Sequence, residues 1–111
     1  MQIQLSWQEK STEKMRSPIL NVPIALGREF GDMPGEIAGK QVSRMVLKDS
    51  QVSRFHALIT WENSSFVVTD QTSRNGVLIN GQAKNRSVLA NGDVLFIDPY
   101  EITISLGVAN G

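Results

Sequence analysis

The chain has no cysteine and a single histidine, His56, among its 111 residues. The first absence excludes disulfide frameworks and thiolate metal sites, and the second leaves no histidine cluster for a metal. Neither sign of charge is in excess, since 11 Lys and Arg stand against 11 Asp and Glu. No global field therefore draws the chain to nucleic acid or to an anionic membrane, and any anion binding must be local. Apolar runs fall far short of the ~20 residues of a bilayer span. The start, Met1-Gln2-Ile3-Gln4-Leu5, lacks the charged and apolar regions of a secretion signal. These traits lead us to expect a soluble cytoplasmic module that carries no cofactor and no metal.

Helical periodicity is also missing, and a period of two takes its place. Ile3, Leu5 and Trp7 alternate with polar residues, as do Leu20, Val22, Ile24 and Leu26. Pro23 in the second run points to an edge strand or a bulge, because proline offers no ladder donor. Phe55, Ala57, Ile59 and Trp61 are expected to share one strand face. Shorter strands are expected at Met45–Leu47, Phe66–Thr69, Val77–Ile79, Val94–Ile97 and around Ile102, Ile104 and Leu106. Such short strands at regular spacing predict an all-β antiparallel sandwich with essentially no helix. Residues 29–43 show no period and are expected to form one long loop, with a type II turn centred on Pro34-Gly35. Asn63-Ser64-Ser65 and Asn85-Arg86-Ser87 fit the glycosylation pattern but read as turns. Residues 1–107 are expected to form one domain and 108–111 a flexible tail.

The residues that could carry chemistry lie in polar, basic segments between strands: Gly27-Arg28, Ser53-Arg54-Phe55-His56, Ser73-Arg74-Asn75-Gly76 and Asn80-Gly81. Arginine among small hydroxyl, amide and glycine residues can turn side-chain and backbone donors toward one anion, and phosphate is the obvious candidate. Gly27 is read as freeing the backbone to turn before Arg28. Ser53 and His56 also have the residue types of a nucleophile and its base. A hydrolase would need the two in hydrogen-bond reach, yet positions three apart on a strand face opposite sides and no nucleophile elbow is present. No enzymatic activity is expected.

Taken in order on an all-β pattern, these segments resemble the forkhead-associated (FHA) domain, a family of phosphothreonine-peptide readers. The resemblance implies an FHA-like β-sandwich whose end loops recruit a phosphothreonine-containing protein, a target of a Ser/Thr kinase. It implies that Arg28 grips the phosphate and that Ser53 adds a hydroxyl to it. Arg54 and Arg74 would contact the peptide near the phosphate, and Asn75 the peptide main chain. Gly27, His56, Gly76 and Asn80 would support the site, His56 by bracing the loops from beneath. Val77 stands where the family usually has threonine. The other reading of the same fold is a phosphate-independent interaction or dimerisation module.

Overall fold

The computed structural model describes residues 1–107, so the tail expected at 108–111 lies outside the described residues. The strands are β1 (Gln2–Gln8), β2 (Met15–Arg16), β3 (Ile19–Asn21), β4 (Ile24–Gly27), β5 (Glu36–Ile37), β6 (Lys40–Gln41) and β7 (Ser43–Val46). They continue as β8 (Ala57–Glu62), β9 (Ser65–Asp70), β10 (Leu78–Ile79), β11 (Gln82–Ala83), β12 (Arg86–Val88), β13 (Val94–Ile97) and β14 (Tyr100–Ser105). Among the described residues the only helical element is one 3-10 turn, Phe30–Asp32, and none is long and apolar enough to cross a membrane.

One sheet of seven strands runs β11-β10-β13-β14-β1-β2, with β3 on β1 as well, and a five-stranded sheet runs β12-β9-β8-β4-β7. β2 and β3 both pair with β1, Trp7 opposite Arg16 and Ile3 opposite Leu20. The break between them falls at Ser17-Pro18, where proline has no N–H to give. The sheets face each other through the alternating residues seen in the sequence: Ile3, Leu5, Leu95, Ile102 and Ile104 from one, Ile24, Leu26, Ala57, Ile59 and Val68 from the other. All of these are buried. A fully buried Leu or Ile contributes about 1.5–3 kcal/mol relative to an exposed one, so this interleaved layer holds the sandwich together.

Every pairing is antiparallel except β4 with β7, which runs parallel from Ile24–Ser43 to Gly27–Val46. A parallel pair needs a crossover of a dozen or more residues, and residues 28–42 supply it. This segment is not the plain loop expected. It contains the 3-10 turn and the β5–β6 hairpin, which reverses at Ala38 and Gly39, both at positive φ (51° and 79°). The expected type II turn is absent, since Gly35 is not in the left-handed region. Met33 and Val42 bury themselves against Ala25, with Ile37, Val46, Phe55 and Leu58 around them. The crossover thus builds a second small core on the outer face of the five-stranded sheet.

Three more expectations change. Phe55 joins this second cluster and not the main face, because β8 begins only at Ala57 and alternation starts there. Pro23 precedes β4, an interior strand, and its carbonyl accepts the Ser43 N–H at 3.0 Å or less (2.9 Å). Asn63 and Ser64 do form a turn, at φ 51° and 62°, whereas Arg86 and Ser87 belong to β12. The functional consequence of the topology lies in the parallel pair: β4 and β7 end side by side, so Arg28 and Lys48 emerge at the same end of the sandwich.

Candidate functional site

Three segments meet at that end: Arg28-Glu29 after β4, residues 47–56 between β7 and β8, and residues 71–77 between β9 and β10. Gly27 fixes how closely the first two approach. A Cβ there would lie 2.1 Å from the Arg54 carbonyl oxygen and 2.9 Å from its carbon. The glycine is therefore required by contact and not, as expected, by freedom to turn; its φ is unexceptional. Across this contact the Arg28 N–H donates to Ser53 O (3.0 Å), the Glu29 N–H to Arg54 O (3.3 Å) and the His56 N–H to Leu26 O (2.8 Å).

His56 is fully buried and both ring nitrogens are used. Nδ1 accepts the Ser53 N–H at 3.0 Å, so the proton sits on Nε2, which donates to Gly76 O at 2.7 Å. One ring thus ties the second segment to the third. The Ser53 hydroxyl does not bond His56; its oxygen accepts the Arg74 N–H at 2.9 Å. The arrangement a serine nucleophile would need is not formed.

The third segment is built on Asp70 and Ser73. The Ser73 hydroxyl donates to Asp70 Oδ1 and accepts the Gly76 N–H at 2.9 Å, while Asp70 Oδ2 accepts the Ser73 N–H at 3.3 Å. Gly76, at φ 76°, then turns the chain into Val77, which is buried in the main core. Asn75 reaches back and donates through Nδ2 to Gln51 O (2.9 Å) and Gln51 Oε1 (3.1 Å). Its Oδ1 has no protein partner among the described residues.

The donors left over face no partner of their own. Arg28 is partly exposed, and its Nε donates to Val52 O at 2.9 Å. Nη1 lies 3.5 Å from Glu29 Oε1 and directs one N–H to it. Of the five guanidinium N–H groups, three remain uncommitted. The Ser53 hydroxyl hydrogen is uncommitted too, since its oxygen acts as acceptor. Arg54 and Arg74 are exposed and their guanidinium groups make no ion pair among the described residues. Lys48 lines an open cleft of about 460 Å³ with Arg28, Glu29, Asp49 and Ser50.

Comparison with known proteins now decides the family. The family model for the FHA domain matches residues 24–97. The chain belongs to the FHA family. Over 86 residues, 77% of this chain and 54% of the relative, it is 36% identical to the glycogen accumulation regulator GarA of Mycolicibacterium smegmatis. It is 35% identical to an oxoglutarate dehydrogenase inhibitor of Corynebacterium diphtheriae, across 77% of this chain and 60% of that one. The matched stretch is thus between half and two thirds of these curated relatives. A solved FHA domain from a structural and functional analysis of phosphothreonine-dependent interactions superposes with a TM-score of 0.67 at 23% identity, covering 96% of this chain and 97% of that one. At that identity the superposition shows the fold alone. By their names the two sequence relatives are regulatory proteins.

The FHA loops bring together most of the residues singled out from the sequence. Arg28, Ser53, Arg54, Arg74, Asn75, His56 and Gly76 all lie in the three segments, and Gly27 ends β4 directly before the first. Asn80 does not. Its side chain pairs with Asp93 and the Val94 N–H, both at 2.9 Å, and it turns β10 into β11 with Gly81. Arg44, another cation of this region, is held elsewhere with its guanidinium 3.7 Å above the Phe30 ring. Sequence reasoning missed the backbone acceptors Val52 O and Gly76 O, for which no side-chain signal exists. It missed Tyr100 as well, whose hydroxyl donates to Lys48 O at 3.1 Å. Burial, then the negative charges of Glu9 and Asp49, push the Tyr100 phenol above its ordinary pKa.

Proposed function

We propose that this FHA domain, residues 1–107, is a phosphothreonine-peptide-binding signalling module that recruits a protein phosphorylated by a Ser/Thr kinase. The observation that carries the reading is the Arg28–Ser53 pair. Arg28 is aimed by the Val52 carbonyl with three N–H groups still available, and Ser53 keeps its hydroxyl hydrogen while its oxygen is occupied. Those donors suit a group with about −1.5 to −2 charge and three acceptor oxygens. Arg54 and Arg74 add positive charge at the rim, and the free Oδ1 of Asn75 suits a peptide N–H. The names of the two relatives, a regulator and an inhibitor, support a recruiting role with no catalysis of its own. A cytoplasmic setting belongs to the same proposal, because protein phosphothreonine is made inside cells.

The test is titration of a phosphothreonine peptide and its unphosphorylated copy against wild type and Arg28→Ala. Hydrogen bonds to charged groups contribute about 1.5–3 kcal/mol each, so losing the fork should weaken binding at least about tenfold. Arg28→Lys should restore it only in part, lacking the planar fork. The melting temperature should hold in both variants. Equal affinity of wild type for the two peptides would turn the reading to a phosphate-independent interaction module.

A further inference from the structure

A second cleft lies beside the phosphate loops. It measures about 650 Å³ and lies between the 9–14 connection and the start of β14. Its floor is Trp7, Met45 and Tyr100, and its rim carries Lys10, Arg16 and Lys48. Lys48 and Asp49 line both this cleft and the one at Arg28, so the two adjoin. The Tyr100 hydroxyl fixes the Lys48 carbonyl at 3.1 Å, which holds the segment they share.

The lining carries one net positive charge, Lys10, Arg16 and Lys48 against Glu9 and Asp49. Arg16 pairs with Glu9 at 3.4 Å, and the Asp49 carboxylate accepts the Gln51 N–H at 2.9 Å. Lys10 and Lys48 form no ion pair among the described residues. In the floor, the Trp7 indole N–H is buried without an acceptor, whereas nearly all buried donors in proteins have one. We infer that this cleft is a second subsite of the peptide groove, and that it takes an acidic side chain of the same partner whose phosphothreonine sits at Arg28. The inference rests on the proposed phosphothreonine reading. The occupant is a carboxylate because the lining carries one net positive charge, with two ammonium groups that form no ion pair among the described residues, above a floor of Trp7, Met45 and Tyr100 that adjoins the groove.

The test uses the full chain and a series of phosphothreonine peptides in which one Glu, or Gln in its place, is walked along both flanks. One position should favour Glu over Gln by about two- to fivefold, the range of a partly exposed ion pair, and Lys10→Ala should erase that preference. Trp7 supplies an independent readout, because Trp61 lies at the other end of β8 and can be replaced by Phe. In Trp61→Phe the emission should respond to the Glu peptide more than to its Gln twin. No Glu preference at any position, or one that survives Lys10→Ala, overturns the subsite while leaving phosphate-dependent binding standing. Binding that ignores the phosphate overturns both.

Discussion

Gly27→Ala is the sharpest perturbation available, because the atoms a new methyl would strike are all backbone. The added Cβ would stand 2.1 Å from Arg54 O, 2.9 Å from Arg54 C and 3.1 Å from Phe55 Cα, and ordinary contact begins near 3.4 Å. No rotamer change relieves this. The end of β4 and residues 53–56 must separate by about 1.3 Å, the difference between 3.4 and 2.1 Å. That movement stretches the Arg28–Ser53, Glu29–Arg54 and His56–Leu26 hydrogen bonds, now 3.0, 3.3 and 2.8 Å, beyond useful length. At about 1 kcal/mol net for each of the three bonds, and with overpacking costing about 1–3 kcal/mol by itself, the loss should be about 4–6 kcal/mol. A domain in the upper part of the range of about 5–15 kcal/mol survives that. Urea denaturation measures the loss, and titration with a phosphothreonine peptide should show affinity falling at least tenfold, as Arg28 and Ser53 move apart. A variant with wild-type stability and wild-type affinity would refute the claim that this close approach assembles the site.

His56→Ala should cost about 3 kcal/mol or more, since it strands the Ser53 N–H and Gly76 C=O at about 1–3 kcal/mol each; a loss below about 1 kcal/mol in urea would show that the ring does not tie the loops. Phosphothreonine should be preferred over phosphoserine by about tenfold, the worth of one methyl in an apolar pocket. Val52, Val77 and the Arg74 stem could wall such a pocket, but the valines are buried in the core, so Arg74→Ala should narrow the preference, and equal affinity of wild type for the two peptides would mean no pocket exists. Tyr100 has its phenol pKa raised by burial and by Glu9 and Asp49, so its contribution is complete below the ordinary value of about 10 and is lost as pH rises through the higher folded value. Wild type should therefore lose more stability than Tyr100→Phe between pH 9 and pH 12 by about one protein hydrogen bond or more, and parallel loss in the two would remove Tyr100 as a clamp on Lys48.

The long strands were legible because each buries one face, and alternation at Ile3-Leu5-Trp7 or Ile102-Ile104 is the direct record of that. β2, β11 and β12 were not, since two or three mostly exposed residues on an edge need no pattern. Phe55 misled for a related reason: alternation is a property of a strand, and the chain bends through Arg54–His56 before β8 begins. The crossover looked aperiodic because Met33, Ile37 and Val42 reach one small patch from a 3-10 turn and a hairpin, elements with no common period. At the site, the side chains were readable and the carbonyls that aim them were not. Val52 O orients Arg28 and Gly76 O orients His56, and a carbonyl carries no residue identity. Gly27 was readable as a glycine but not for its cause, which depends on how near Arg54 comes in space.

The proposed reading requires a chain with no net charge to grip a dianion although Glu29 already leans on Arg28. The Arg28–Glu29 pair is 3.5 Å long with both side chains well exposed, and such pairs are worth about 0.2–1 kcal/mol. On the proposed reading, each hydrogen bond from Arg28 to a phosphate oxygen would be worth about 1.5–3 kcal/mol, so phosphate would displace the carboxylate with a margin from the first bond. The donors need little ordering to do so. The Val52 carbonyl already holds the guanidinium, the Arg74 N–H already occupies the Ser53 oxygen, and the His56 ring already locks the two loops together. Freezing a rotamer-rich side chain on binding costs about 0.5–1.5 kcal/mol, and here the fold bears that cost before the ligand arrives. On that reading, local preorganisation would do what a basic surface does elsewhere, and Gly27 and His56 would be as necessary to the site as arginine.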